Sequence, residues 1–139
     1  MKIKNLAIVG FGSIGKKYLR ILKKIKPKLK IIVVRRKLTK KINKNGNLVK
    51  QVSSIKEATK LGVQAAIISS PAPFHLRQAI ELMQSNIHIL TEKPLSNNLN
   101  DIKEFFKIIK KTKIVGLVGY CLRYETILKK LKKILEKKH

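Results

Sequence analysis

The stretch Leu6-Ala7-Ile8-Val9-Gly10-Phe11-Gly12-Ser13-Ile14-Gly15 constrains this chain more than any other. Four apolar residues read as a short strand, and glycines spaced G-x-G-x-x-G follow at once. Ile14, Tyr18, Ile21, Leu22 and Ile25 then recur at helical spacing. Each glycine answers a separate need. The first permits a tight turn, the second lets backbone approach a diphosphate, and the third lets helix pack on strand. The helix start adds unpaired N–H groups and a partial positive charge. A glycine turn needs no ligand in itself; the strand before it and the helix after it give this one the right context. Residues 10–15, with Phe11, Ser13 and Ile14 between the glycines, are the first candidate cofactor-binding segment.

The rest of the chain alternates in the same way. Pro27 ends the first helix, and residues 31–34 are a β-branched strand. A polar stretch with an Asn45-Gly46 turn precedes a weak strand near residues 48–52. Ser54 to Glu57 fits a capping box, and Gly62 fits the helix stop. Residues 63–69 form another strand, broken by Pro71-Ala72-Pro73. Leu76, Ala79, Ile80 and Met83 then mark a helix face, and Asn86 suits its left-handed end. Residues 87–91 and 114–120 read as the last strands, separated by a helix with Ile102, Phe105, Phe106 and Ile109 on one face. Ile127, Leu128, Leu131, Ile134 and Leu135 form the stripe of a final helix. Strands joined by helices require crossovers, which build a parallel sheet covered on both faces. The expected fold is therefore α/β: a doubly wound, three-layer α/β/α Rossmann sheet of up to six strands. Residues 1–122 are expected to form the dinucleotide-binding domain. Residues 123–139 are expected to form an amphipathic crossover helix, its stripe packed on the sheet.

Ligands of such sheets bind outside the strands' carboxyl ends, and every other candidate falls there. Arg35 and Arg36 end the second strand, roughly 20 residues past Gly15, where an acidic residue commonly holds a ribose 2′-hydroxyl. No Asp or Glu precedes Glu57, and only five arginines occur in the chain. An arginine pair there suits a 2′-phosphate, so NADP is expected over NAD, with NAD still possible; a solvated strand end is the bland alternative. Ser70, Pro71 and His75 belong to a stiff turn that points a helix start at the cofactor, His75 reading equally as ligand contact or structural residue. His88 lies within a strand, and no His/Cys/Asp/Glu spacing suggests a metal. Glu92-Lys93-Pro94 ends the strand at residues 87–91 and sets a lysine just outside it.

Composition limits the classes. The chain has 139 residues, 44% of them hydrophobic, which fits one globular domain. No apolar run approaches the ~20 residues that span a bilayer. A lone cysteine, Cys121, permits no internal disulfide, so a cytoplasmic location is expected. Lys and Arg total 33 against 7 Asp and Glu, a net +26. That field attracts any polyanion, phosphorylated cofactors included, but lysine is spread along every helix. The charge alone therefore carries no specific nucleic-acid reading.

Three segments taken together, GFGSIG, SSPAPFHLRQAIELMQSNIHILTEKPLS and GYCLRY, resemble the Gfo/Idh/MocA family of nicotinamide-dependent oxidoreductases. The resemblance runs from Leu6 to about Tyr124, with Asn86 where the family usually has glycine. It implies that Lys93 lies beside the nicotinamide and the reacting substrate carbon, with Glu92 pairing with a nearby base or holding the loop, and Arg123 facing the same cleft. It also implies a sugar or polyol-type substrate and a second, mainly β domain that supplies the pocket and a histidine. The only histidine downstream in the sequence is the terminal His139, so a partner chain or second domain is expected to complete the site. Two readings stand beside the enzyme: a non-catalytic nucleotide-binding module or truncated remnant, and a basic nucleic-acid-binding protein on the same scaffold.

Overall fold

The computed structural model describes residues 2–38 and 49–136; the Asn45-Gly46 turn, Leu48 and His139 lie outside them. Six strands form one parallel sheet: β1 (Asn5–Val9), β2 (Lys30–Val34), β3 (Val49–Val52), β4 (Ala65–Ile68), β5 (His88–Thr91) and β6 (Gly116–Val118). Their spatial order is β3-β2-β1-β4-β5-β6, the doubly wound arrangement expected. The order reverses at β1, which pairs with β2 on one side and β4 on the other, Val9 standing opposite both Val34 and Ile68.

Side chains alternate across the pleat, so each strand serves two cores. Leu6, Ile8, Ile31, Val33 and Ile67 point to one face, where Tyr18, Leu19 and Leu22 of α1 (Ser13–Ile25) cover them. Ala7, Val9, Ile32, Val34 and Ile68 point to the other. That face is covered by α2 (Ile55–Lys60), α3 (His75–Gln84) and α4 (Ile102–Lys111) through Ile55, Ala58, Leu82, Met83 and Phe105. This explains the unbroken apolar runs of the central strands: Leu6–Val9, Ile31–Val34 and Ala65–Ile68 are each buried throughout, on one side or the other.

The helix ends follow local chemistry. Ser54 accepts the Glu57 N–H at 3.2 Å. The Glu57 carboxylate reaches back to the Ser53 N–H at 3.3 Å, one residue earlier than a capping box requires. Bonds from the Ser53 hydroxyl and amide, then from Ser54, hold its carboxyl below the usual range. Asn86 takes the left-handed conformation expected of it, at φ 58°.

Two expectations fail. Phe106 is half exposed and meets Phe105 edge-on, because the buried face of α4 centres on Ile102, Phe105 and Ile109. The final helix, α5 (Thr126–Glu136), does not pack on the sheet. A turn at Cys121–Tyr124 carries it away, and Ile127 and Ile134 stay 71% and 56% exposed. Periodicity showed that α5 has an apolar side but not what covers it.

One bond joins α1 to the end of β5: the Tyr18 hydroxyl donates to Glu92 Oε1 at 2.6 Å. Burial, then the hydrogen bond and charge of Glu92, with a further push from Cys121, raise the phenol above its ordinary value of 10.0. The folded chain therefore holds this proton more tightly than the unfolded one. The contribution is complete below about pH 10 and is lost as pH climbs through the raised folded value. Between about pH 9 and about pH 11 the wild-type protein is expected to lose more stability than Tyr18→Phe, measured by urea unfolding. Equal slopes for the two proteins would show that the bond does not operate in solution.

Candidate functional site

Four loops meet at the carboxyl edge of the sheet. The turn after β1 is fixed by close packing. Gly10 has φ +86°, and a Cβ there would lie 2.5 Å from the Ser70 nitrogen. At Gly15 a Cβ would lie 2.4 Å from the Gly10 carbonyl oxygen. Both positions exclude side chains on the protein's own account. Gly12 differs: a Cβ there would meet nothing within 4 Å. Gly12 caps α1 with no side chain bonded to the helix start, and Ser13 and Ile14 are exposed. Protein packing leaves open the space over Gly12 and the first N–H groups of α1, which suits a phosphate drawn to the helix dipole.

Beside this turn lies a cavity of about 520 Å³ lined by Phe11, Arg35, Arg36, Ser70, Pro71 and Phe74, among others. The two arginines end β2 and lean on aromatic rings from opposite sides. The Arg35 guanidinium is 5.8 Å from the Phe11 ring centre, and that of Arg36 is 5.7 Å from the Phe74 centre. Such stacking orients the planar guanidinium against the ring face. The cavity thus joins Gly10 and Phe11, the arginine pair and the Ser70-Pro71 turn, while Gly12, Ser13, Ile14 and Gly15 lie outside its lining.

Several contributors carried no sequence signal. The Ser69 hydroxyl donates to the Gly10 carbonyl at 3.0 Å and locks the glycine turn to β4. The Ser70 hydroxyl donates to Gln78 Oε1 at 2.6 Å, and Gln78 and Ser53 also line the cavity. Serines and glutamines occur everywhere on protein surfaces, so only the fold singles these out.

The second half of the site is the loop after β5. Lys93 is exposed, and the Lys93–Pro94 peptide is cis. Glu92 is half-buried and turned toward α1: Oε1 accepts from Tyr18, and Oε2 accepts the Lys93 N–H at 3.3 Å. His75 is buried, with both ring nitrogens on backbone carbonyls, those of Pro94 and Ser70. It holds the two loops together and does not open onto the cavity. Arg123 lies exposed in the Cys121–Tyr124 turn; neither it nor Lys93 lines the cavity. His88 ties two strands, its Nδ1 accepting the Val115 N–H at 2.9 Å.

This edge brings together an open glycine turn at a helix start, aromatic-backed arginines, and a lysine on the adjoining loop. The chain is 27% identical over 127 residues to 4-carboxy-2-hydroxymuconate-6-semialdehyde dehydrogenase of Sphingobium, covering 86% of this chain and 39% of that protein. It is 31% identical over 74 residues to myo-inositol 2-dehydrogenase of Thermotoga maritima, 53% of this chain and 22% of the other. The crystal structure of myo-inositol 2-dehydrogenase from Lactobacillus plantarum superposes with a TM-score of 0.84 at 25% identity, over 98% of this chain and 42% of that one. The chain thus spans well under half the length of these relatives. Residues 4–120 match the family model GFO_IDH_MocA, described as an oxidoreductase family with an NAD-binding Rossmann fold, and the chain belongs to that family.

Proposed function

We propose that this chain is the dinucleotide-binding part of an oxidoreductase that prefers NADP and acts on a sugar or polyol-type substrate. The observation that carries the reading is the open space at Gly12, a glycine whose missing side chain nothing in the protein requires. A diphosphate over it would take the N–H groups at the start of α1. Arg35 and Arg36 would hold a 2′-phosphate, their forks backed by Phe11 and Phe74. A nicotinamide cofactor supplies the hydride donor or acceptor when bound.

Lys93 is the proposed catalytic residue. Its ammonium would bond the substrate oxygen and steady charge as hydride moves. Glu92, anchored by Tyr18, fixes the loop that presents it. Two relatives named for myo-inositol support the polyol class. The exposed stripe of α5 supports the division after residue 122, with a second domain or partner chain covering that helix and supplying the substrate pocket. Without that pocket the chain would bind cofactor and not turn over, since positioning provides much of the rate. The lone cysteine favours work in the cytoplasm.

Gly12→Ala is expected to stay folded and to lose no more than about 1 kcal/mol of stability, the cost of alanine at a helix N-cap. Its affinity for NADPH should fall at least roughly tenfold, since the methyl would occupy the phosphate's place. Fluorescence titration of the folded variant checks this; wild-type affinity would remove the diphosphate from Gly12. In wild type NADPH should bind more tightly than NADH. The double variant Arg35→Ala/Arg36→Ala should weaken NADPH by about ten- to a hundredfold and leave NADH nearly unchanged. Tighter NADH binding by the wild type would reject the NADP preference.

A further inference from the structure

His75 is a buried titratable residue, 2% exposed, that the proposed chemistry does not use. It opens α3, and its ring spans the two loops of the site. Nδ1 lies 2.7 Å from the Pro94 carbonyl oxygen, and Nε2 lies 2.7 Å from the Ser70 carbonyl oxygen. Both partners are carbonyls, which only accept hydrogen bonds. A neutral imidazole has one N–H and one lone pair. With either tautomer a ring lone pair would face a carbonyl lone pair at that distance, in a place closed to bulk solvent.

We propose that His75 donates from both ring nitrogens at once, as a buried imidazolium, and so acts as the positioning residue that clamps the Ser70 turn to the loop carrying Lys93. The distances fall at the short end for N–H···O bonds, where charge-assisted bonds lie. A cation at the start of a helix is opposed by the helix dipole, so both carbonyls are needed to hold it. The neighbouring contacts make the clamp continuous. Gln78, one turn further along α3, takes the Ser70 hydroxyl at 2.6 Å while His75 takes the Ser70 carbonyl. The Ser70 backbone packs directly on Gly10. The path runs from the glycine turn through Ser70 and His75 to Pro94, the residue after Lys93. The positioning role rests on the function proposed for Lys93; the double donation does not.

The test begins with the full chain labelled with 15N at histidine, at neutral pH. Long-range proton–nitrogen correlation reads both ring nitrogens, with His88→Gln separating the signals. Two protonated nitrogens on His75 are expected; one pyridine-type nitrogen would overturn the double donation. The second part follows the 15N backbone amide signal of Lys93, identified from the spectrum of Lys93→Arg. In His75→Phe this signal should shift toward that of an unbonded amide, since its bond to Glu92 Oε2 depends on the held loop. Leu76→Ala, a core truncation one residue away, should lower stability without moving it. An unmoved signal in His75→Phe, or equal movement in both variants, would overturn the positioning role. Neither reading depends on whether a dinucleotide binds, so failure of the cofactor titration remains distinguishable.

Discussion

The contact on which the rest depends is the approach of Gly10 to Ser70. The ends of β1 and β4 come so close that a methyl group on Gly10 would stand 2.5 Å from a backbone nitrogen. Ser69 seals the same junction from the other side by donating to the Gly10 carbonyl. Because β1 is where the strand order reverses, this junction is also where a crevice must open between diverging helices. Fixing it places Gly10 and Phe11 of the glycine turn, the arginines after β2 and the Ser70 turn around one cavity, with the start of α1 beside it. A ligand site at the sheet edge is then a consequence of topology, and side chains decide only which ligand.

The two halves of the edge are built differently. The β1–β2–β4 half carries the open glycine turn and the aromatic-backed arginines, the groups proposed to take the cofactor's phosphates. The β5 half presents Lys93, with Glu92 tied to α1 and Pro94 tied to α3 through His75. Lysine is abundant in this chain, so the net +26 raises affinity for every polyanion and selects none. In the proposed function, selection falls to the geometry at Gly12 and at the arginine pair. The family relation fits this division, since the shared region is the nucleotide-binding part and the relatives continue well beyond it.

Much of this was readable in the residues, for physical reasons that also explain what was not. The strands show because both faces of a parallel sheet are buried, which leaves unbroken apolar runs such as Leu6 to Val9. The glycine turn shows because φ +86° and sub-contact distances admit no other residue. Asn86 shows because few residues accept its backbone angles. His75 was ambiguous because its role is set by two carbonyls five and nineteen residues away, which only the folded chain brings together. Ser69 and Gln78 were invisible for the same reason. The stripe of α5 was plain, yet its partner was misjudged: periodicity reports that a face is apolar and says nothing of what lies against it.

The central claim is that the amides at the start of α1, above Gly12, receive a dinucleotide diphosphate. The most direct measurement is the amide spectrum of the 15N-labelled chain during addition of NADPH. The account predicts the largest shifts at Phe11 to Gly15 and at Ser70, saturating at one equivalent. Shifts confined to lysine-rich helix surfaces and growing without saturation, or no shift at residues 11–15, would contradict it.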